Sequence, residues 1–210
     1  MTRDRDLRLL LWVGLAYAVA TAAAIAWLDA PLAQWLATQQ KPAIATEVIT
    51  YLEYAAGLEP WKWTFHVALV AATLAVTVVP RLRRHAPQVT YVALVALLAR
   101  NLMLWTKGIS GRLRPGEWLH DGGGPAFFQH GIAFPSGHVV IFAGLAIPIA
   151  LAWPRAWPVL AVVPIAMAAR LAVDAHWASD TLGGVALVCV CAWACRGVLL
   201  RRSPPPGAAG

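Results

Sequence analysis

Phe134-Pro-Ser-Gly-His138-Val-Val-Ile-Phe-Ala-Gly-Leu-Ala-Ile-Pro148-Ile-Ala-Leu-Ala-Trp153 passes from a turn signal into an unbroken apolar segment. Its front end reads as a helix start. Ser136 is a good N-cap, Gly137 allows close approach of the backbone, and the first free N–H groups at the positive helix end suit an anion. His138 then sits beside that anion. The apolar remainder is one of six such stretches, too many for a soluble core of 210 residues.

Those stretches cover roughly 7–28, 63–80, 88–106, 137–153, 158–173 and 181–200. Most approach the ~20 residues that cross a hydrocarbon layer of about 30 Å. A composition of 60% hydrophobic and 13% charged residues, with 11 Trp, points the same way. The expectation is an all-α polytopic membrane protein, with six transmembrane helices in one bundle over residues 1–202 and both termini cytoplasmic. Pro148 and Pro164 are tolerable kinks where neighbouring helices satisfy the freed backbone groups. The first stretch follows Arg3, Arg5 and Arg8 like a signal peptide, but it outruns an h-region and leads to no small-x-small cleavage site. It reads as the first transmembrane helix. The Pro-, Gly- and Ala-rich segment 203–210 reads as a disordered cytoplasmic tail.

Charge orients this bundle. Arg3, Arg5, Arg8, Arg81, Arg83, Arg84, Arg155, Arg196, Arg201 and Arg202 fall on one side of a six-span layout, ten of the seventeen basic residues. Cytoplasmic loops carry that excess, so the +7 net charge is mostly topology. The basic residues are dispersed over four membrane edges and form no nucleic-acid recognition motif. Cys189, Cys191 and Cys195 lie in one apolar stretch without a CxxC pair or a nearby His, which fits helix packing better than a disulfide or zinc site. Two longer connections, 29–62 and 107–136, face the outer side. The first spaces Leu32, Trp35, Leu36, Ile44, Val48, Tyr51 and Leu52 as a helix lying along the membrane surface, with nothing catalytic in view.

Polar residues that topology does not explain gather at three places. Lys107-Gly-Ile-Ser-Gly-Arg112-Leu-Arg114-Pro115 brings three cations to the outer face, against the charge bias, as a bound anion would require. Pro115 is expected to end the helix behind Arg114. The second place is Ser136-Gly137-His138. The third is Arg170-Leu-Ala-Val-Asp174-Ala-His176-Trp-Ala-Ser-Asp180, where a carboxylate four residues on can bond the His176 ring, fix its tautomer and leave the other nitrogen free. Arg100 and Asn101 lie inside the third span, and an intramembrane Arg needs a partner.

Lys107-x6-Arg114-Pro115, Pro135-Ser136-Gly137-His138 and Arg170-x5-His176-x3-Asp180, in this order, resemble the signature of the type 2 phosphatidic acid phosphatase superfamily, in its membrane lipid phosphatase branch. The resemblance implies His176 as nucleophile, Asp180 as its orienting partner and His138 as the acid that protonates the leaving oxygen. It implies Lys107, Arg114, Arg170, Ser136 and the Gly137 backbone as the phosphate cradle. No cofactor and no metal is implied, the cations taking the part of Mg²⁺. A phosphoryl group in transfer spreads negative charge over its equatorial oxygens and needs such fixed positive groups.

The chain departs from the family pattern at Ala169, often Ser, at Val139, often small or hydroxylated, and at Asp174, often Gly. Asp174 has three open roles: tuning His176, pairing with Arg170, or facing solvent. Arg112 touches phosphate, a lipid head group, or water. The function expected is hydrolysis of a lipid phosphate or pyrophosphate at the periplasmic face of an inner membrane. Undecaprenyl pyrophosphate, phosphatidylglycerol phosphate, phosphatidic acid and lipid A phosphates are all compatible. A lipid phosphotransferase is the nearest alternative, and a non-enzymatic lipid-phosphate-binding or transport protein is the alternative of another class.

Overall fold

A computed structural model describes residues 2–55 and 63–201, and no strand occurs among them. The expected tail at 203–210 and the end of the 29–62 connection lie outside the described residues. Helix α1 (Thr2–Ala23) continues through a π-helical turn (Ala24–Leu28) into α2 (Asp29–Ala37), and α3 (Ala43–Ala55) follows. Then come α4 (Thr64–Val78), 3₁₀ turns at Pro80–His85, α5 (Ala86–Ser110) and the short α6 (Pro115–His120). After a long loop, α7 (Gly137–Ala152), 3₁₀ turns at Pro154–Ala161, α8 (Val162–Ala172) and α9 (Ala178–Arg201) complete the order.

Four helical runs among the described residues are long and apolar enough to cross a membrane: Asp4–Ala37, Pro80–His120, Pro154–Ala172 and Ala178–Arg196. Thr64–Val78 and Gly137–Ala152 are apolar but shorter. Large apolar side chains face outward along these helices, among them Trp12, Val19, Leu74, Trp105 and Trp193. A soluble surface would not carry so much of them, and a bilayer accommodates them.

The interior is built from small and β-branched residues. Val95 and Ala99 of α5, Val139, Val140 and Ala143 of α7, and Val188 and Ala192 of α9 are sealed in one cluster with Cys189 and Cys191. Without a hydrophobic drive between helices in lipid, close backbone approach through small residues supplies the packing. A Cβ placed on Gly14 would lie 3.1 Å from the Cys189 Cβ, so α1 and α9 press together there. Helix α9 thus packs on α1, α5 and α7, and α3 lies against α8 through Ala45, Ile49 and Ala169.

Three sequence expectations are corrected here. Leu32, Trp35 and Leu36 belong to the continued first helix and not to a surface helix, because Pro31 falls in the first turn of α2, just beyond the π turn, and does not interrupt the run before Thr38. The helix carrying Lys107 ends at Ser110, where Gly111 takes the left-handed conformation (φ 51°) that an L-residue adopts only with strain. Pro115 begins a helix: its missing N–H costs nothing in a first turn, and Arg114 precedes it in extended conformation.

Candidate active site

Gly111 sends the chain back under the end of α5, and the loop 126–133 straps against it. Leu113 N donates to Ala126 O (2.9 Å), Phe128 N to Ser110 O (2.8 Å), Gly131 N to Gly111 O (2.9 Å) and Ala133 N to Arg112 O (2.8 Å). The strap is tight. A Cβ on Gly131 would sit 2.1 Å from the Arg112 carbonyl oxygen, so only glycine fits. The Lys107 ammonium closes the loop by donating to the carbonyl of Ile132 and, at 3.4 Å, to that of Ala133. A Cβ on Gly137 would meet Met103 and Lys107 no closer than 3.7 Å, so packing alone does not demand glycine there.

Residues 173–177 form the opposite wall. Asp174 holds φ 58°, which accounts for the glycine that the resemblance favours at this position, and Asp is among the few residues that take this conformation without a large penalty. Ala175 N donates to Arg170 O (3.1 Å), folding His176 back toward α8. His176 Nδ1 lies 3.2 Å from Asp180 Oδ2, which also accepts the Trp177 N–H at 3.0 Å. A carboxylate only accepts, so Nδ1 donates and Nε2 keeps its lone pair. His176 is 4% exposed. Burial lowers its pKa to about 4 against the upward pull of Asp180, and Lys107 and Arg170 add to the fall, so the ring is neutral at physiological pH.

The two walls are tied at their helix starts, since Ser136 N donates to Asp180 O (2.9 Å). Ser136 makes no side-chain cap bond: its Oγ is fully buried and has no partner among the described residues. The Nε atoms of Arg114 and Arg170 are likewise buried without a partner among these residues. Lys107, Arg114 and Arg170 lie close enough to act on one another electrostatically, and Lys107 and Arg170 act on both His138 and His176. The structure therefore brings Lys107, Arg114, Ser136, Gly137, His138, Arg170, His176 and Asp180 to one site. Unused donors and three cations that form no ion pair among the described residues, beside a neutral imidazole, suit a phosphoryl group.

Two secondary candidates take other places. Arg112 faces neither solvent nor the open donors: it is 2% exposed and ion-paired to Asp29 and Asp180, each at 2.6 Å. A guanidinium with two carboxylates in reach has no charge left for a phosphate. Asp174 pairs with Lys41 (3.9 Å) and not with Arg170, and its buried side chain does not face solvent. Burial raises its carboxyl pKa, with Lys41 opposing. Arg100 lies over the Phe65 ring of α4, 5.8 Å from its centroid.

Sequence reading missed two carboxylates, both from the connection taken as free of chemistry. Glu53 pairs through Oε1 with His138 Nε2. Ala45, Ile49 and Glu53 recur every four residues, and Ala45 and Ile49 are buried, so this register was the available signal that Glu53 faces inward. Asp29, 4% exposed, stands four residues before the buried Ala33 and ends the π turn.

A family model described as the PAP2 superfamily matches residues 84–204. That range holds all three motifs and leaves Asp29 and Glu53 outside it. No curated protein and no solved structure matches the chain.

Proposed function

The chain belongs to the PAP2 superfamily, the type 2 phosphatidic acid phosphatases, and on that premise we propose that it is an integral membrane lipid phosphatase working through a phosphohistidine on His176. The observation that carries the proposal is the buried His176–Asp180 pair (3.2 Å) in a site whose Ser136 Oγ, Arg114 Nε and Arg170 Nε have no partner among the described residues.

In the first step the Nε2 lone pair attacks phosphorus, the bond from phosphorus to the lipid oxygen breaks, and that oxygen takes a proton from His138. In the second, water attacks the phosphohistidine and gives a proton to His138, the P–N bond breaks, and its electron pair returns to Nε2 as inorganic phosphate leaves. Lys107, Arg114 and Arg170 hold the equatorial oxygens, the part a divalent metal plays in other phosphoryl transfer enzymes. Six spans, with both termini cytoplasmic and the site at the periplasmic face of an inner membrane, fit the ten basic residues on the opposite edge.

The test is phosphate release from a panel of lipid phosphates and pyrophosphates in detergent, with His176→Ala beside the wild type. Release from at least one lipid, abolished in the variant, supports the proposal. Equal release by His176→Ala overturns the mechanism, and phosphate recovered on an added lipid alcohol in place of water identifies a phosphotransferase.

A further inference from the structure

Asp180 offers His176 only one of its two carboxylate oxygens. The other, Oδ1, accepts from Arg112 Nη1 at 2.6 Å, and Arg112 Nη2 reaches Asp29 Oδ2 at 2.6 Å. Ser179 completes the knot: its N–H donates to Asp29 Oδ1 (3.1 Å), its hydroxyl to Asp29 Oδ2, and its oxygen accepts from Arg112 Nη1 (2.6 Å). The Arg112 Cζ lies 4.4 Å from the Phe127 ring centroid and 4.9 Å from that of Trp177. An acid on the continued first helix, a cation in the turn between α5 and α6 and the opening turn of α9 thus meet behind the nucleophile.

Stability alone is a poor reason for such a knot. Removing an ion pair from water costs about as much as the pairing returns, and apolar side chains of equal volume commonly do as well. Geometry is a better one. The last torsion of an aspartate is broad and two-fold, so a carboxylate held at one oxygen swings and carries its hydrogen-bond direction with it. A guanidinium is a planar, rigid fork, and with its Nη2 held on Asp29 its Nη1 holds Oδ1, a second anchor that fixes the carboxylate plane. The Asp180 Oδ2 to His176 Nδ1 direction is then fixed, and with it the line along which Nε2 points.

We propose that Arg112 and Asp29 are positioning residues that act through Asp180 to hold the His176 ring in its attacking orientation, a role that rests on the phosphatase reading of His176. The first helix, outside the matched family range, thereby becomes part of the nucleophile's support.

The experiment uses the full chain in detergent as wild type, Arg112→Ala, Arg112→Lys, Asp29→Asn and His176→Ala. Turnover of dioctanoyl phosphatidic acid is measured alongside the binding of orthovanadate in the absence of lipid. For folded, monodisperse Arg112→Ala we expect kcat to fall about 10- to 100-fold with KM nearly unchanged, the scale seen when an outer support of a reacting ligand is lost. Methylguanidinium should restore part of the rate and methylammonium should not, while Arg112→Lys, lacking the fork, stays impaired. Wild-type kcat in folded Arg112→Ala, or a loss indifferent to methylguanidinium, overturns the proposal. If Arg112→Ala does not fold, Asp29→Asn decides in the same way: lowered kcat at constant KM supports it, and wild-type kcat sinks it. If the wild type hydrolyses another lipid of the panel in place of phosphatidic acid, kcat and KM are read on that lipid; if it hydrolyses none of the panel yet binds vanadate in a His176-dependent manner, the phosphatase reading falls. Vanadate affinity then decides positioning, with weakening in the Arg112 and Asp29 variants supporting it and wild-type affinity refuting it.

Discussion

Nδ1 of His176 and Oδ2 of Asp180 lie 3.2 Å apart, four residues along the chain, with both side chains shut away from solvent. The pair fixes which nitrogen carries the proton. Asp180→Asn can present an N–H to Nδ1 instead, which moves the proton to Nε2 and removes the attacking lone pair. On the scale of the analogous substitution in a serine protease triad, kcat should fall on the order of 10⁴-fold. Rapid-quench measurement of phosphoenzyme formation checks this, and formation at near wild-type rate in Asp180→Asn would rule out a tautomer-setting role.

The same imidazole makes stability depend on pH. In the unfolded chain it takes up a proton near 6.5, and in the folded protein only near 4, because burial disfavours the charge. Between these values the unfolded chain binds more protons, so the contribution of His176 is complete above 6.5 and is lost as pH falls toward 4. Asp174 acts with the opposite sign: its raised carboxyl pKa lets the folded state take the proton first, which favours the fold on the acid side. Thermal unfolding in detergent from pH 4 to 8 should show a decline below 6.5 that flattens in His176→Gln. An unchanged slope in the variant would assign the decline to other groups.

What could be read from sequence and what could not divides along local and non-local chemistry. The apolar runs announced their helices because a bilayer imposes both length and composition on a span, and His176 and Asp180 were legible because they stand four residues apart, across the start of α9. Arg112 was not legible. Its partners Asp29 and Asp180 lie 83 and 68 residues away, so nothing near it in the chain separates a buried bridge from an exposed cation. The Glu53–His138 pair spans 85 residues and had only the Ala45, Ile49, Glu53 register to betray it. Asp174 shows a third case, a conformational demand (φ 58°) visible only once the backbone is known.

Glu53 bears on the leaving group. It pairs with Nε2 of His138, and both side chains are partly open to the site. A carboxylate there orients the imidazole that must protonate a lipid alkoxide. Loss of the acid itself costs about 10² to 10⁴ in rate, and loss of its orienting partner should cost less, roughly tenfold for Glu53→Ala on an alkyl phosphate. With p-nitrophenyl phosphate, whose leaving group needs no proton, the defect should nearly vanish. Equal defects on both substrates would place Glu53 outside the protonation step.

Ser136 offers the sharpest separation of binding from folding. Its Oγ is fully buried with no partner among the described residues, so the free protein gains no hydrogen bond from it there and already bears the cost of its desolvation. Ser136→Ala should therefore leave the thermal midpoint unchanged or slightly raised, the reverse of what a working N-cap would give, where loss costs about 1 kcal/mol. The deficit should appear only with an anion present. A hydrogen bond to a charged oxygen contributes about 1.5–3 kcal/mol, so orthovanadate and substrate should bind roughly 10- to 100-fold more weakly. Titration calorimetry with vanadate, set beside the unfolding midpoint, reads both quantities on one preparation. A lowered midpoint with wild-type vanadate affinity would make Ser136 a folding residue, and the open hydroxyl would then no longer count toward a phosphate cradle.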